Sequence, residues 1–448
     1  MTVRRIAAGV AVVVFIVLAL GAVWAAKTLW VVGSTVPEHA LSPSLATSLY
    51  TGEPVATAAV WEAEKPFIRY MFEEEVYGAF PKANIRWLKE VRVLDEHAYG
   101  DTAVVEEIIF TPALQHSSST GLRVPVVVVT PKGATSSPLI IGSTFCANHT
   151  AFPQYQVEKP AVYPAFCEVS SPTSFRSRFM RFILGKYIEE PPVADIVARG
   201  FAYANFYTGS IAPDDKDQAP EALIELSKLT GEPVTGVIAA WAWGYTQVMH
   251  ELEVDPRIDP TKVALYGHSR DGKAALVAGA FDESVDAVIA HQSGRGGASP
   301  AQLKTGESID SVMHEYPHWF DPSYLGYEAR EEALPVDQHL LIALMAPRPV
   351  LLTGAYLDKW ADPKGAFMAM RDAEYIYRLY NKYGDERLFP SETLDQFHPG
   401  FPLAFFMRPL NHGIRDSDWD AFIRFLESHF CQGYKCSVYT EYRYIFGD

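Results

Sequence analysis

The stretch Val263-Ala-Leu-Tyr-Gly-His-Ser269-Arg-Asp-Gly-Lys273 limits what this chain can fold into. Its first four residues are apolar or aromatic, the pattern of a buried strand, and Ala274-Ala-Leu-Val-Ala-Gly-Ala280 reads as a helix. Between them a serine is flanked by Gly267 and Gly272. A strand that turns sharply into a helix around a serine is a nucleophile elbow. The tight turn needs small neighbours and lifts the hydroxyl clear of the sheet. The amides at the helix N-terminus then point to where negative charge would develop. In the usual G-x-S-x-G spacing the second glycine is the fifth residue; here that residue is Asp271 and the glycine comes one later.

The rest of the chain supplies a sheet for such an elbow. Residues 104–110 and 124–129 are rich in β-branched residues, with Pro125 placing the second run at a strand start or an edge. Further short apolar runs, 139–142, 201–207, 286–290, 349–353 and 403–407, read as strands. Residues 66–80, 235–252 and 417–429 have helical spacing, with Pro66 expected in the first turn of its helix. Strands alternating with helices predict an α/β protein with a mostly parallel, doubly wound sheet. The predicted organisation is one hydrolase domain over 61–430, preceded by a linker at 34–60 that is rich in Ser, Thr, Pro and Ala. A tail follows at 431–448.

In such a sheet the site lies beyond the carboxyl ends of the strands. Past the run 349–353 comes Asp358, and past 403–407 comes His412. The chain order Ser269, Asp358, His412 is the order of the α/β-hydrolase fold. A serine hydroxyl is a weak nucleophile until a base takes its proton. Imidazole can take that proton near neutral pH and return it to a leaving alcohol, while a buried carboxylate holds the ring tautomer. His268, His291, His339 and His398 are the other histidines weighed, with His398 read as part of a turn. Asp358 is favoured over Asp362, because Asp362-Pro363 reads as a turn or helix entry.

Composition bounds the partners. With 448 residues, 48% of them hydrophobic, a large core is available. A net charge of -16 without a long basic run argues against nucleic acid. Arg4 and Arg5 precede 21 uncharged residues, 6–26, long enough to span a bilayer. Residues 1–33 are therefore read as a signal peptide or membrane anchor, cleavage being left open, with the remainder exported to the periplasm or beyond. Membrane contact is expected only through this segment. Four cysteines suit export: Cys431 with Cys436 is a plausible local disulfide and Cys146 with Cys167 its companion. Nothing has zinc-ligand spacing, so neither metal nor organic cofactor is expected.

Several blocks, in order, resemble the glucuronoyl esterases, carbohydrate esterase family fifteen, and their bacterial relatives often labelled acetylxylan esterases. They are Phe72-Glu-Glu-Glu-Val-Tyr-Gly78, Phe145-Cys-Ala-Asn-His-Thr150, Pro213-Asp214, Gly267-His-Ser-Arg-Asp-Gly-Lys273, Ser293-Gly-Arg-Gly-Gly297, Pro317-His-Trp-Phe320, Ala346-Pro-Arg-Pro349 and Asp358-Lys-Trp-Ala-Asp-Pro363. The family elbow, G-C-S-R-x-G-K, also has the displaced glycine. The resemblance implies Ser269 as nucleophile and His412 as base. It further implies Arg270 at the oxyanion, Lys273 on sugar hydroxyls and Trp360 as a wall against a pyranose ring. Gln292 stands among the substrate-binding candidates, at a position where many members carry a catalytic glutamate; some relatives place the acid where Asp358 lies. His268 replaces the elbow cysteine and Ala147 a glycine of the family. The implied substrate is a 4-O-methyl-glucuronoyl ester of plant cell-wall glucuronoxylan. A polysaccharide acetyl esterase is the alternative, and a catalytically silent tethered carbohydrate-binding protein stands further off.

Overall fold

The computed structural model describes residues 41–431, apart from 84, 114–120, 165–166, 168–183 and 381–395, together with residues 15, 18 and 19. Most of the expected signal or anchor segment and residues 432–448 of the expected tail, Cys436 among them, thus lie outside the described residues. Among the described residues no helix is long and apolar enough to cross a membrane.

Among the described residues nine strands form one sheet: β1 (Trp87–His97), β2 (Ala103–Pro112), β3 (Val124–Pro131), β4 (Ser137–Ser143), β5 (Ala202–Phe206), β6 (Ile258–His268), β7 (Ala287–His291), β8 (Val350–Ala355) and β9 (Leu403–Arg408). Their order is β1-β2-β3-β5-β4-β6-β7-β8-β9. From β5 to β9 every neighbouring pair is parallel, while β1, β2 and β3 form an antiparallel arm joined to β5. The sheet is thus mixed and mostly parallel. Pro125 is the second residue of β3.

Alternation along the strands builds a core on each face. Val263 and Leu265 of β6, with Val288 and Ala290 of β7, enter one core. Ala264, Tyr266, Ala287 and Ile289 enter the other. The first core is covered by α1 (Ala58–Phe72), α2 (Val237–Leu252), α3 (Arg270–Phe281) and α4 (Pro363–Leu379), and the second by α5 (Asp416–Phe430). A buried Leu, Ile or Val contributes roughly 1.5–3 kcal/mol of transfer free energy, so the two faces together hold the strand ends rigidly under the site.

Two expectations need correction, and one strand has no counterpart among them. Pro66 lies inside α1 rather than in its first turn, because the helix starts at the Thr57 cap, whose side chain accepts from Val60 N at 3.3 Å. Trp61, Ile68 and Phe72 make its buried stripe, and Pro66 sits on the exposed side. Residues 41–57, within the stretch read as linker, are fastened to the domain. Leu41 and Val55 are buried, Leu41 N donates to Asp372 Oδ2 at 2.6 Å, and buried Glu64 accepts from Ser48 Oγ at 2.7 Å and Leu49 N at 2.6 Å. Polar composition hid these anchors. Strand β1 carries no clear sequence signal, because apolar Leu88, Val91 and Val93 are exposed on both of its faces and mixed with charges, which blurs the period-2 pattern.

Candidate active site

Ser269 follows the last residue of β6 and caps α3, with φ 55 and ψ −121. That left-handed backbone is costly for a residue with a side chain and is kept only where its surroundings enforce it. Two close approaches enforce it here. A Cβ on Gly267 would collide with the Asp271 carbonyl, and one on Gly272 would lie 2.9 Å from the Gly267 carbonyl oxygen. These two positions, not 271, need glycine, which is the physical reason for the displaced second glycine. Asp271 points away into the core and accepts from Thr208 Oγ1 at 2.8 Å. Burial raises its carboxyl to about 6 against the opposing pull of Arg270. Ser269 N donates to His291 O at 2.8 Å, tying the elbow to the end of β7.

The sheet register sets His268, His291 and Thr353 side by side at three neighbouring strand ends. The loops after β8 and β9 keep running together past the sheet, with Tyr356 N donating to Arg408 O at 3.0 Å and Leu357 N to Leu410 O at 2.9 Å. This shared course delivers Asp358 to His412. Asp358 is buried, and its Oδ2 accepts from His412 Nδ1 at 2.7 Å while Oδ1 accepts from Ala361 N at 3.1 Å. With Nδ1 so engaged, Nε2 is the nitrogen left to act as a base. The His412 ring lies 4.5 Å from that of His268, the residue just before Ser269. Asp362 does something else: it caps α4, accepting from Gly365 N at 3.1 Å, Ser299 Oγ at 2.8 Å and Thr305 Oγ1 at 2.5 Å. Of the other histidines weighed, His291 is buried between Thr353 Oγ1 and Gly413 O, and His339 bonds Pro43 O at 2.8 Å. Burial holds His268 and His291 well below the ordinary imidazole range, helped by neighbouring cationic groups.

Arg270 is half-buried. Its Nε pairs with Asp214 Oδ2 at 2.9 Å, and its guanidinium lies 4.2 Å from the centre of the Phe145 ring. Asp214 also accepts from His318 Nε2 at 2.9 Å and Trp319 Nε1 at 2.7 Å. Burial alone would raise the Asp214 carboxyl, but Arg270 and these donors outweigh it and bring it below the usual carboxylate range. Phe145 is tied down by the adjacent Cys146–Cys167 disulfide. Lys273 is buried, donates to Ser293 O at 2.8 Å and Glu307 Oε2 at 3.2 Å, and lies 5.5 Å from the Trp319 ring centre. Burial lowers its ammonium, with Glu307 opposing. Trp360 is 51% exposed in the Asp358 loop. Gln292 is buried and bonds the loop of His412 through Gly413 N at 2.9 Å.

Glu307, Asp214, His318 and Trp319 have no role assigned from the sequence alone. Asp214, His318 and Trp319 lie in blocks quoted above, but only the fold brings those blocks onto Arg270 and Lys273. Glu307 sits in a polar loop with no periodic signal.

Comparison with known proteins places the chain. The family described as fungal glucuronyl esterase matches residues 167–381. A carbohydrate esterase from an unknown prokaryotic organism is 29% identical over 89% of this chain and 91% of its own length. A 4-O-methyl-glucuronoyl methylesterase of Hypocrea jecorina is 34% identical, matched over 42% of this chain and 44% of its own length. The solved glucuronoyl esterase of Solibacter usitatus is 30% identical, with a TM-score of 0.75 and coverage of 88% of this chain and 99% of that one. The elbow, the carboxylate on its histidine and this likeness along the whole domain lead to one conclusion: the chain belongs to the glucuronoyl esterases of carbohydrate esterase family fifteen, which are carboxylic ester hydrolases.

Proposed function

We propose that this protein hydrolyses 4-O-methyl-glucuronoyl esters of plant cell-wall glucuronoxylan through an acyl-enzyme on Ser269. The observation that carries the reading is the 2.7 Å hydrogen bond from His412 Nδ1 to buried Asp358, beside the strained elbow. Ser269 Oγ attacks the ester carbonyl carbon while His412 Nε2 takes its proton. The negative oxygen is met by the amides at the start of α3 and by Arg270, which Asp214 and Phe145 hold in place. The imidazolium, stabilised by Asp358, gives its proton to the leaving alcohol oxygen as the C–O bond breaks. Water then attacks the acyl carbon, its proton passing to His412 and on to Ser269 Oγ, and the free uronic acid leaves.

Lys273 is the contact for the sugar hydroxyls, with Glu307 beside it, and Trp360 offers an apolar face to the pyranose ring. The Hypocrea jecorina relative, named for the same ester class, supports this substrate. The Cys146–Cys167 disulfide supports an exported location, since such bonds persist in oxidising compartments. The test is hydrolysis of a benzyl glucuronate ester against an aryl acetate. Preference for the glucuronate ester, with a Lys273→Met variant losing that preference and keeping the acetate rate, is the expected result. Activity on the acetate alone would move the substrate to acetylated polysaccharide.

A further inference from the structure

The loop that carries His412 is held on both sides of it, most densely at the next residue, Gly413. Gly413 O accepts from His291 Nε2 at 2.9 Å and from Arg408 Nη2 at 2.5 Å. Gly413 N donates to Gln292 Oε1 at 2.9 Å. Both polar groups of Gly413 are therefore satisfied by buried side chains. Arg408 also donates to Pro409 O at 2.9 Å and Asn411 O at 3.0 Å, and both Asp418 oxygens, at 2.9 and 2.8 Å, hold its Nε. Gly413 itself has φ 143, and a Cβ there would strike the Leu184 carbonyl. Gln292, at φ 50 and 2% exposed on the turn that leaves β7, directs its one side-chain hydrogen bond to Gly413, its Nε2 having no partner among the described residues. Because an N–H must meet an oxygen, the Gly413 amide fixes which way the Gln292 amide faces.

We infer that Gln292 is a positioning residue for the general base: its Oε1 fixes the Gly413 amide and thereby the His412 ring, and it makes no contact with substrate. The inference rests on His412 being the base. A buried acceptor removed from a fixed amide leaves that amide without a partner, and the loop shifts to recover one. A displacement of about 1 Å in a catalytic group costs on the order of 100-fold in rate. The consequence falls on proton transfer and not on sugar binding, so kcat and KM separate the two roles.

The experiment uses the full chain with Gln292→Met, which keeps length but removes the acceptor, and Gln292→Glu, which keeps an oxygen for Gly413 N. Turnover of a benzyl glucuronate ester and the rate of labelling by a fluorophosphonate are read together, with His412→Ala as the control. The expected result is a fall of ~10- to 100-fold in kcat and labelling rate for Gln292→Met. Its KM should stay within about twofold, and most of the loss should return in Gln292→Glu. A KM increase with kcat and labelling preserved would make Gln292 a substrate contact and overturn the inference, as would no change in either constant. If Gln292→Met does not fold, Gln292→Asn, one methylene too short to reach Gly413, replaces it with the same outcomes. Labelling undiminished in His412→Ala would instead sink the assignment of the base.

Discussion

Replacing Asp358 by Asn separates the two neighbouring aspartates by function. The structure gives each oxygen of Asp358 one donor, Ala361 N at 3.1 Å and His412 Nδ1 at 2.7 Å. An Asn can keep the first through its carbonyl oxygen, which turns its NH2 group toward Nδ1. The imidazole must then accept at Nδ1 and carry its proton on Nε2, the wrong tautomer for a base. In serine proteases the equivalent change lowers kcat by ~10⁴ with the geometry intact. The His412 ring here is partly open to solvent (28% side-chain exposure), so it can reorient more readily. A loss of ~10²–10⁴ in kcat follows, or roughly 3–5 kcal/mol in barrier. Asp362→Asn should behave differently. It retains a cap for Gly365 N but weakens the bonds from Ser299 and Thr305. That change costs about 1 kcal/mol of stability and little turnover. The assay is kcat on a glucuronoyl ester beside the thermal midpoint for each variant. Equal losses of kcat, or a greater loss in Asp362→Asn, would mean that Asp358 is not the carboxylate that holds the His412 tautomer.

Other outcomes follow from the same geometry. Gly267→Ala should destabilise the protein by more than about 2 kcal/mol and abolish turnover, because its Cβ meets the Asp271 carbonyl; Gly272→Ala, with a 2.9 Å approach to Gly267 O, should be milder in both denaturant unfolding and kcat. Asp271 binds its proton more tightly folded than unfolded, since burial raises it to about 6 from 3.8. Its contribution to stability is therefore complete below pH 4 and declines as pH rises to about 6. Asp271→Asn, which keeps the oxygen for Thr208, should remove this decline and gain roughly 1–3 kcal/mol at pH 7 relative to wild type; urea unfolding across that range checks it, and an unchanged slope would contradict it. Asp214→Asn should weaken the hold on Arg270 and lower kcat by ~10-fold or more, consistent with loss of one oxyanion donor, while KM on the glucuronoyl ester changes little.

The sheet was legible where strands are buried on both faces, as in β3, β6, β7 and β8, because continuous apolar runs leave few other readings. It failed at β1, an edge strand whose exposed residues carry no clean period, and at 41–57, where single buried side chains such as Leu41 and Val55 anchor a polar segment. The site divides in the same way. Ser269, Asp358 and His412 each follow a recognisable strand, so chain order and strand ends suffice to bring them forward. The groups that hold the loops do not announce themselves. Arg408 and Asp418 look like surface charges in sequence yet form a buried pair under the His412 loop, and Glu307 meets Lys273 across 34 residues only because the chain folds back at 293–307. Gln292 stands among the substrate-binding candidates by position, and its hydrogen bond runs to the backbone of Gly413, next to His412, a partner that only the fold reveals.

The proposed chemistry requires that Ser269, activated by His412, be the residue acylated in turnover. Its most direct test is the mass and site of the adduct formed when the folded protein reacts with a fluorophosphonate. One adduct per chain is expected, on the peptide containing Ser269, absent in Ser269→Ala and greatly slowed in His412→Ala. No adduct on the folded protein, or an adduct at another residue that persists in Ser269→Ala, would contradict it.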